Sequence, residues 1–136
     1  MSEYRVIIAD GNAQFRHTTA EFFRTDKEII RVEEATDGQA ALEKMREEHF
    51  DVLITELVMP KLDGLGVLER INQMEKKPKV IMLTNIRSSY YVQRAFDNHA
   101  TDVLLKPFDV QALVGRIRLA AKNEAVNTPL GSNYLS

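Results

Sequence analysis

Short apolar runs alternate along the chain with stretches whose apolar side chains recur every three or four residues. Arg5-Val6-Ile7-Ile8-Ala9 is almost continuously apolar, the mark of a strand covered on both faces. A helix is predicted over residues 12–24, with Phe15, Phe22 and Phe23 turned inward. Residues 29–35 read as a second strand, richer in charge and so placed at a sheet edge. Thr36-Asp37-Gly38 is a turn with a capping residue, followed by a helix over 39–48 that presents Ala41, Leu42 and Met45. Val52–Thr55 is the third strand, and Met59-Pro60-Lys61-Leu62-Asp63-Gly64 a loop marked by its proline and glycine. A helix over 65–73 leads to the fourth strand at 80–83, ending at Thr84. Ser88 is expected to cap a helix in which Val92, Ala95, Phe96 and His99 recur. Residues 103–105 form the fifth strand. Pro107 ends that run before a last helix over 109–122 that buries Leu113, Val114, Ile117 and Ala121. Five strand–helix units in succession predict an α/β fold, a doubly wound five-stranded parallel sheet.

Composition narrows the chemistry. The 136 residues are 44% hydrophobic and 28% charged, enough for one ordinary core and too apolar for a disordered tail. With 18 Lys+Arg against 20 Asp+Glu, the net charge of −2 argues against non-specific nucleic-acid binding. The absence of cysteine excludes a disulfide scaffold, thiolate metal ligation and thiol catalysis. No apolar run reaches the ~18 residues of a membrane span, and no signal-peptide pattern opens the chain, so a cytoplasmic location is expected. The periodicity fails from Asn123 onward. Residues 1–122 are therefore read as the domain, and 123–136 as a flexible tail or the start of a linker to an output domain.

In open parallel sheets ligands gather beyond the carboxyl ends of the strands. The residues there are Asp10 and Gly11 after strand one, Glu56 after strand three, Thr84 and Asn85 after strand four, and Lys106 after strand five. Two carboxylates, a hydroxyl and an ammonium should therefore share one mouth. Ile7-Ile8-Ala9-Asp10, Met59-Pro60, Leu62-Asp63-Gly64, Ile81-Met82-Leu83-Thr84 and Leu105-Lys106-Pro107-Phe108 stand in this order at those ends. In this the chain resembles the receiver domain of two-component response regulators, over roughly residues 4–121. The wording around Leu62–Leu65, Val67–Arg70 and Lys106–Asp109 is similar to the receiver of sporulation-initiation regulators.

The resemblance implies a flavodoxin-like strand order of 2-1-3-4-5 and a phosphoryl-accepting aspartate that shares Mg²⁺ with a second acidic residue and a backbone carbonyl. The acceptor position here is Glu56, the second acid of the pair at 10 and 11 is Gly11, and the carbonyl is that of Val58. Thr84 matches the switch hydroxyl and Lys106 the phosphate-binding lysine, while Val103 occupies the usual switch-aromatic position. Glu56 carries one methylene more than Asp, and a displacement near 1 Å can cost ~10²-fold in a geometry-dependent transfer. Gly11 removes a carboxylate from a metal that uses few protein ligands. The expectation is a pseudo-receiver that is not phosphorylated in the usual way, with weak or absent Mg²⁺ binding at Asp10, Glu56 and the Val58 carbonyl. Glu56 is also long enough to reach Lys106 and Thr84 and hold one conformation without chemistry.

Two other functions compete: a working phosphoacceptor that uses Glu56 or another residue, and a flavodoxin-like small-molecule binder at the same mouth. The second lacks a Gly-rich phosphate cradle. Enzyme activity is not expected, since no nucleophile–base pair stands at the strand ends and His17, His49 and His99 share no ligand spacing. Asp10 could also simply cap the first helix. Tyr90 and Tyr91 are adjacent, so one should lie on the surface and mark a protein contact. Arg87, Arg94, Asp97, Asp102, Arg116 and Arg118 surround the fourth and fifth helices. This suits either a solvated face or a homodimer through the face of the fourth helix, fifth strand and fifth helix, as in many receivers. Protein partners are expected, with transcription control as the implied output and DNA reached only through a domain outside these residues.

Overall fold

A computed structural model describes residues 3–122; the tail expected over 123–136 lies outside the described residues. Five strands and five helices alternate: β1 (Tyr4–Ala9), α1 (Ala13–Arg24), β2 (Ile29–Ala35), α2 (Gly38–Glu47), β3 (Val52–Thr55), α3 (Gly64–Ile71), β4 (Lys79–Thr84), α4 (Ser89–Asp97), β5 (Asp102–Leu105) and α5 (Val110–Ala121). All strand pairs are parallel, in the order β2-β1-β3-β4-β5. β3 and β5 are buried along their whole length, as strands under helices on both faces must be. β2 is an edge strand, as its charge density predicted, and Glu33 and Glu34 on it pair with Lys44 and Arg16. No helix among the described residues is long and apolar enough to cross a membrane.

Local chemistry sets the helix ends. Asn12, Asp37 and Asp63 each accept an amide hydrogen bond from the residue three positions on, which satisfies a donor the first turn leaves unpaired. Asp10 is therefore not the cap of α1; that role falls to Asn12. Ser88 precedes α4 but makes no side-chain capping bond. α4 also ends at Asp97, so His99 lies beyond the helix with φ 74° instead of on its inward face. In α5 the buried alanine is Ala120 and Ala121 is only partly buried, one residue off the expected face. Asp102, read as part of a charged surface, is 1% exposed and bonded to Arg116. The β-strand start that holds it, one residue earlier than the apolar run, carries it into the sheet.

Two glycines have opposite settings. A Cβ on Gly38 would stand 2.2 Å from the Leu62 carbonyl oxygen, because the start of α2 packs against the β3–α3 loop. A Cβ on Gly115, in α5, would meet nothing within 4 Å. Gly38→Ala should therefore lower stability by about 1–3 kcal/mol, while Gly115→Ala should raise it by about 0.5–1 kcal/mol. Urea unfolding midpoints measure both, and equal effects of the two substitutions would contradict this packing.

Candidate functional site

Strands β1 and β3 are neighbours in register, Ala9 beside Thr55, so the residues that follow them emerge side by side. Those residues are Asp10 and Glu56, both buried. Lys106 follows β5, where its amide donates to the Thr84 carbonyl at 2.8 Å. Its long stem carries the ammonium to both acids. Nζ donates to Asp10 Oδ2 at 2.7 Å and to Glu56 Oε1 at 3.0 Å. The remaining carboxylate oxygens are also bonded. Asp10 Oδ1 accepts from the Asn12 amide at 2.8 Å, and Glu56 Oε2 from the Leu57 amide at 2.6 Å, with the Val58 amide at 3.4 Å. All four carboxylate oxygens thus accept hydrogen bonds within the chain.

The convergence expected at the strand ends holds for Asp10, Glu56 and Lys106, and Glu56 does reach Lys106. It does not bond Thr84. That buried hydroxyl accepts from the Ile86 amide at 3.2 Å, while Asn85 is exposed. Val103 is buried within β5 and Val58 is exposed. Gly11 is exposed, its φ is not positive, and a Cβ there would make only ordinary contacts with Pro60 Cδ and the Thr36 carbonyl, at 3.7 and 3.8 Å. The backbone does not require glycine at this position; a side chain fits. Among the described residues no group of three or more His, Cys, Asp or Glu is arranged to hold a metal ion.

Two neighbours complete the cluster. The ring of Phe15, on the first turn of α1, lies 4.2 Å from Lys106 Nζ, where its electron-rich face attracts the cation. Phe15 reads as a core residue from its spacing, and only the fold reveals that it closes over a charge. Arg16 holds the Asp10 carbonyl at 2.9 Å and Glu34 Oε1 at 2.9 Å, tying the β1 end to the sheet edge. Sequence reasoning passed over it; an arginine six residues beyond a strand-end acid was the available signal.

Two anions and one cation leave a net charge of −1 in a place that excludes most water. Desolvating each ion costs several kcal/mol, recovered only because each polar atom is bonded. Burial is the strongest single influence on Lys106 and favours its neutral form. The hydrogen bonds and charges of Asp10 and Glu56 together outweigh it and hold the ammonium above the ordinary lysine value. A pKa raised by folding adds stability that is complete below the unfolded value and is lost as the pH climbs through the folded one. The wild-type chain should thus lose stability above pH 10.5 by a component that Lys106→Met lacks. At neutral pH that variant should be less stable by about 3 kcal/mol, having stranded two carboxylates. Urea midpoints across alkaline pH test this, and parallel losses in both proteins would place the ammonium outside the network.

Residues 6–118 match the response regulator receiver domain family. Among solved structures, the chain is similar to the signal receiver domain of the putative response regulator NarL from Mycobacterium tuberculosis. The two share 26% identity with a TM-score of 0.86, over 91% of this chain and 100% of that one. The chemotaxis response regulator CheY4 of Vibrio cholerae is 26% identical with a TM-score of 0.77, over 88% and 99%. The response regulator domain of Thermotoga maritima CheB is 26% identical with a TM-score of 0.80, over 88% and 97%. Sheet order, the placement of acids and lysine at the strand ends, and this match over most of the chain agree: the chain belongs to the response regulator receiver domain family of two-component signalling.

Proposed function

We propose that this is a pseudo-receiver, which regulates by protein contact and is not phosphorylated in the usual way. The observation that carries the reading is the pair of hydrogen bonds that Lys106 donates to Asp10 and Glu56, which engages the groups a phosphoryl transfer would need free. Transfer depends on an in-line nucleophile and on neutralising the charge of the moving group. The carboxylate of Glu56 is instead fixed by the ammonium at one oxygen and by its own following amides at the other.

The family implies Mg²⁺ here, and the donor set does not fit it. Mg²⁺ demands near-octahedral oxygen ligation and gives up its waters reluctantly. The site offers two carboxylates, both already bonded to Lys106, and position 11 supplies none. A metal would have to displace the ammonium from both acids. We assign no metal or other cofactor, and no catalytic activity, to these residues. Glu56 instead acts as a permanent partner for Lys106, standing in part where a phosphoryl group would, with fewer oxygens and less charge.

In this reading the output is a protein surface, in the cytoplasm, with DNA reached only through an output domain outside the described residues. The α4-β5-α5 face suits the contact, with a second copy of the chain as one partner. Tyr90 and Tyr91 are both exposed on α4, their rings packed edge to face at 5.1 Å, and Arg94 lies over Tyr90 at 5.7 Å. Tyrosine and arginine are the side chains that most often dominate binding energy at interfaces. Val103, buried in β5, offers no rotating aromatic to report on the pocket.

Incubating the chain with a small phosphodonor and Mg²⁺, followed by intact-mass measurement, should give no phosphorylated species. The double variant Gly11→Asp/Glu56→Asp, for which position 11 has room, should take up one phosphate. A stoichiometric adduct on the wild-type chain that is lost in Glu56→Gln would overturn the proposal. If the chain self-associates, Tyr90→Ala should weaken the dimer by about 2 kcal/mol in sedimentation equilibrium, and an unchanged constant would remove α4 from the interface.

A further inference from the structure

At the opposite end of the sheet, beside Lys79 at the start of β4, a concavity of about 380 Å³ opens between the end of α3 and the turn after α4. Its size falls in the range of small-ligand sites, roughly 300–1,000 Å³. The floor is aliphatic, made by Leu68, Ile71 and Val80, all buried. The rim carries Lys77, Lys79 and His99, and no acidic residue lines it. On a chain of net charge −2 this is a locally cationic hollow.

Neither lysine has an ion-pair partner among the described residues, a condition they share with Lys27, Lys76 and Lys122. Asp51, whose carbonyl receives the Lys79 amide, spends its carboxylate on the Arg5 amide and His49. His99 adds an independent sign. It occupies the left-handed position that ends α4, with φ 74°, its amide bonded to the Phe96 carbonyl and the Ala100 amide to the Ala95 carbonyl. Glycine is the favoured residue at such a helix end, and an L side chain there is strained. The His99 imidazole stands at this position and lines the hollow. Asn72, also on the lining, is held by its side-chain donation to the Asn98 carbonyl at 3.0 Å.

We propose that this hollow binds a small aliphatic phosphate monoester. Two ammonium groups balance a dianion, with the imidazole and the Thr101 hydroxyl beside them as hydrogen-bonding groups. The aliphatic floor takes a short carbon body. The lining contains no Phe, Tyr or Trp ring on which a nucleobase would stack. The site lies away from the Asp10–Glu56–Lys106 cluster, so it stands whether or not the pocket there accepts phosphoryl groups.

The test is titration of the ¹⁵N-labelled full chain with glycerol 3-phosphate, inorganic phosphate and a tetraglutamate peptide. Glycerol 3-phosphate should shift the amides of Asn72, Lys77, Lys79 and Thr101, saturably, while those of Asp10, Glu56 and Lys106 stay still. Lys77→Met/Lys79→Met should weaken binding at least tenfold. His99→Gly should weaken binding while raising Tm, because the strain goes with the side chain. Absent or non-saturating shifts, shifts centred on Lys106, or unchanged affinity in the double lysine variant would overturn the proposal. So would a lower Tm in His99→Gly, since the imidazole would then be structural. Inorganic phosphate binding as tightly as the ester would overturn the role of the floor, and tighter binding of the peptide would reassign the hollow to an acidic protein segment.

Discussion

One ammonium group shared by two buried carboxylates is the constraint around which the carboxyl end of the sheet is organised. Asp10 and Glu56 emerge from adjacent strands, and parallel register alone would leave two negative charges side by side in a poorly solvated cleft. Lys106 removes that conflict by bonding both. Its own burial is compensated by the same two contacts and by the face of Phe15. The backbone reinforces the arrangement, since the Lys106 amide is anchored on the Thr84 carbonyl and the Glu56 amide on that of Ala9. The charge network and the strand ladder therefore hold each other in register.

The remainder of the fold brings these three residues together. Continuous apolar strands force helices onto both faces of the sheet, and the right-handed crossovers of parallel strands leave few possible orders. Gly64 shows how tightly the loop after β3 is folded against the site: a Cβ there would lie 2.7 Å from the Glu56 carbonyl oxygen. Asp63 caps α3 just before it. The loop that follows Glu56 is thus fixed by a close approach and a helix cap, which restrains Glu56 beside Lys106.

The strands and the β2 edge were legible because burial on two faces leaves an unbroken apolar run and an exposed edge leaves charge, whereas β5, the other edge, is buried throughout. β2 with Glu33 and Glu34 illustrates the second case. Helix ends were less legible. Ser88 has the chemistry of a cap and makes no capping bond, and His99 continues the helical spacing after the helix has stopped. Spacing records which face a side chain would take if the helix continued; it carries no information on where the backbone turns. At the site, residue types at strand ends identified Asp10, Glu56 and Lys106, but not Phe15 or Arg16. Those two act through a ring face and a backbone carbonyl, contacts that depend on the angle of α1 across the sheet. Asp102 failed for the same reason: whether a charge at a strand start faces water is decided by the neighbouring helix, here by Arg116 of α5.

Position 11 separates what the scaffold allows from what the sequence supplies. The exposed position of Gly11 would accept a side chain at ordinary contact distance, and its backbone is not in a conformation reserved for glycine. Folding therefore does not exclude a carboxylate here. Adding one would bring a third acid to a cluster whose single lysine already serves two, and without a divalent cation the repulsion would fall on Asp10 and Glu56. Glycine at 11 and glutamate at 56 suit one another electrostatically. The first lowers the negative charge that Lys106 must balance, and the second extends a carboxylate to within 3.0 Å of its ammonium. Together with Lys106 they form a charge arrangement whose hydrogen bonds close within the chain.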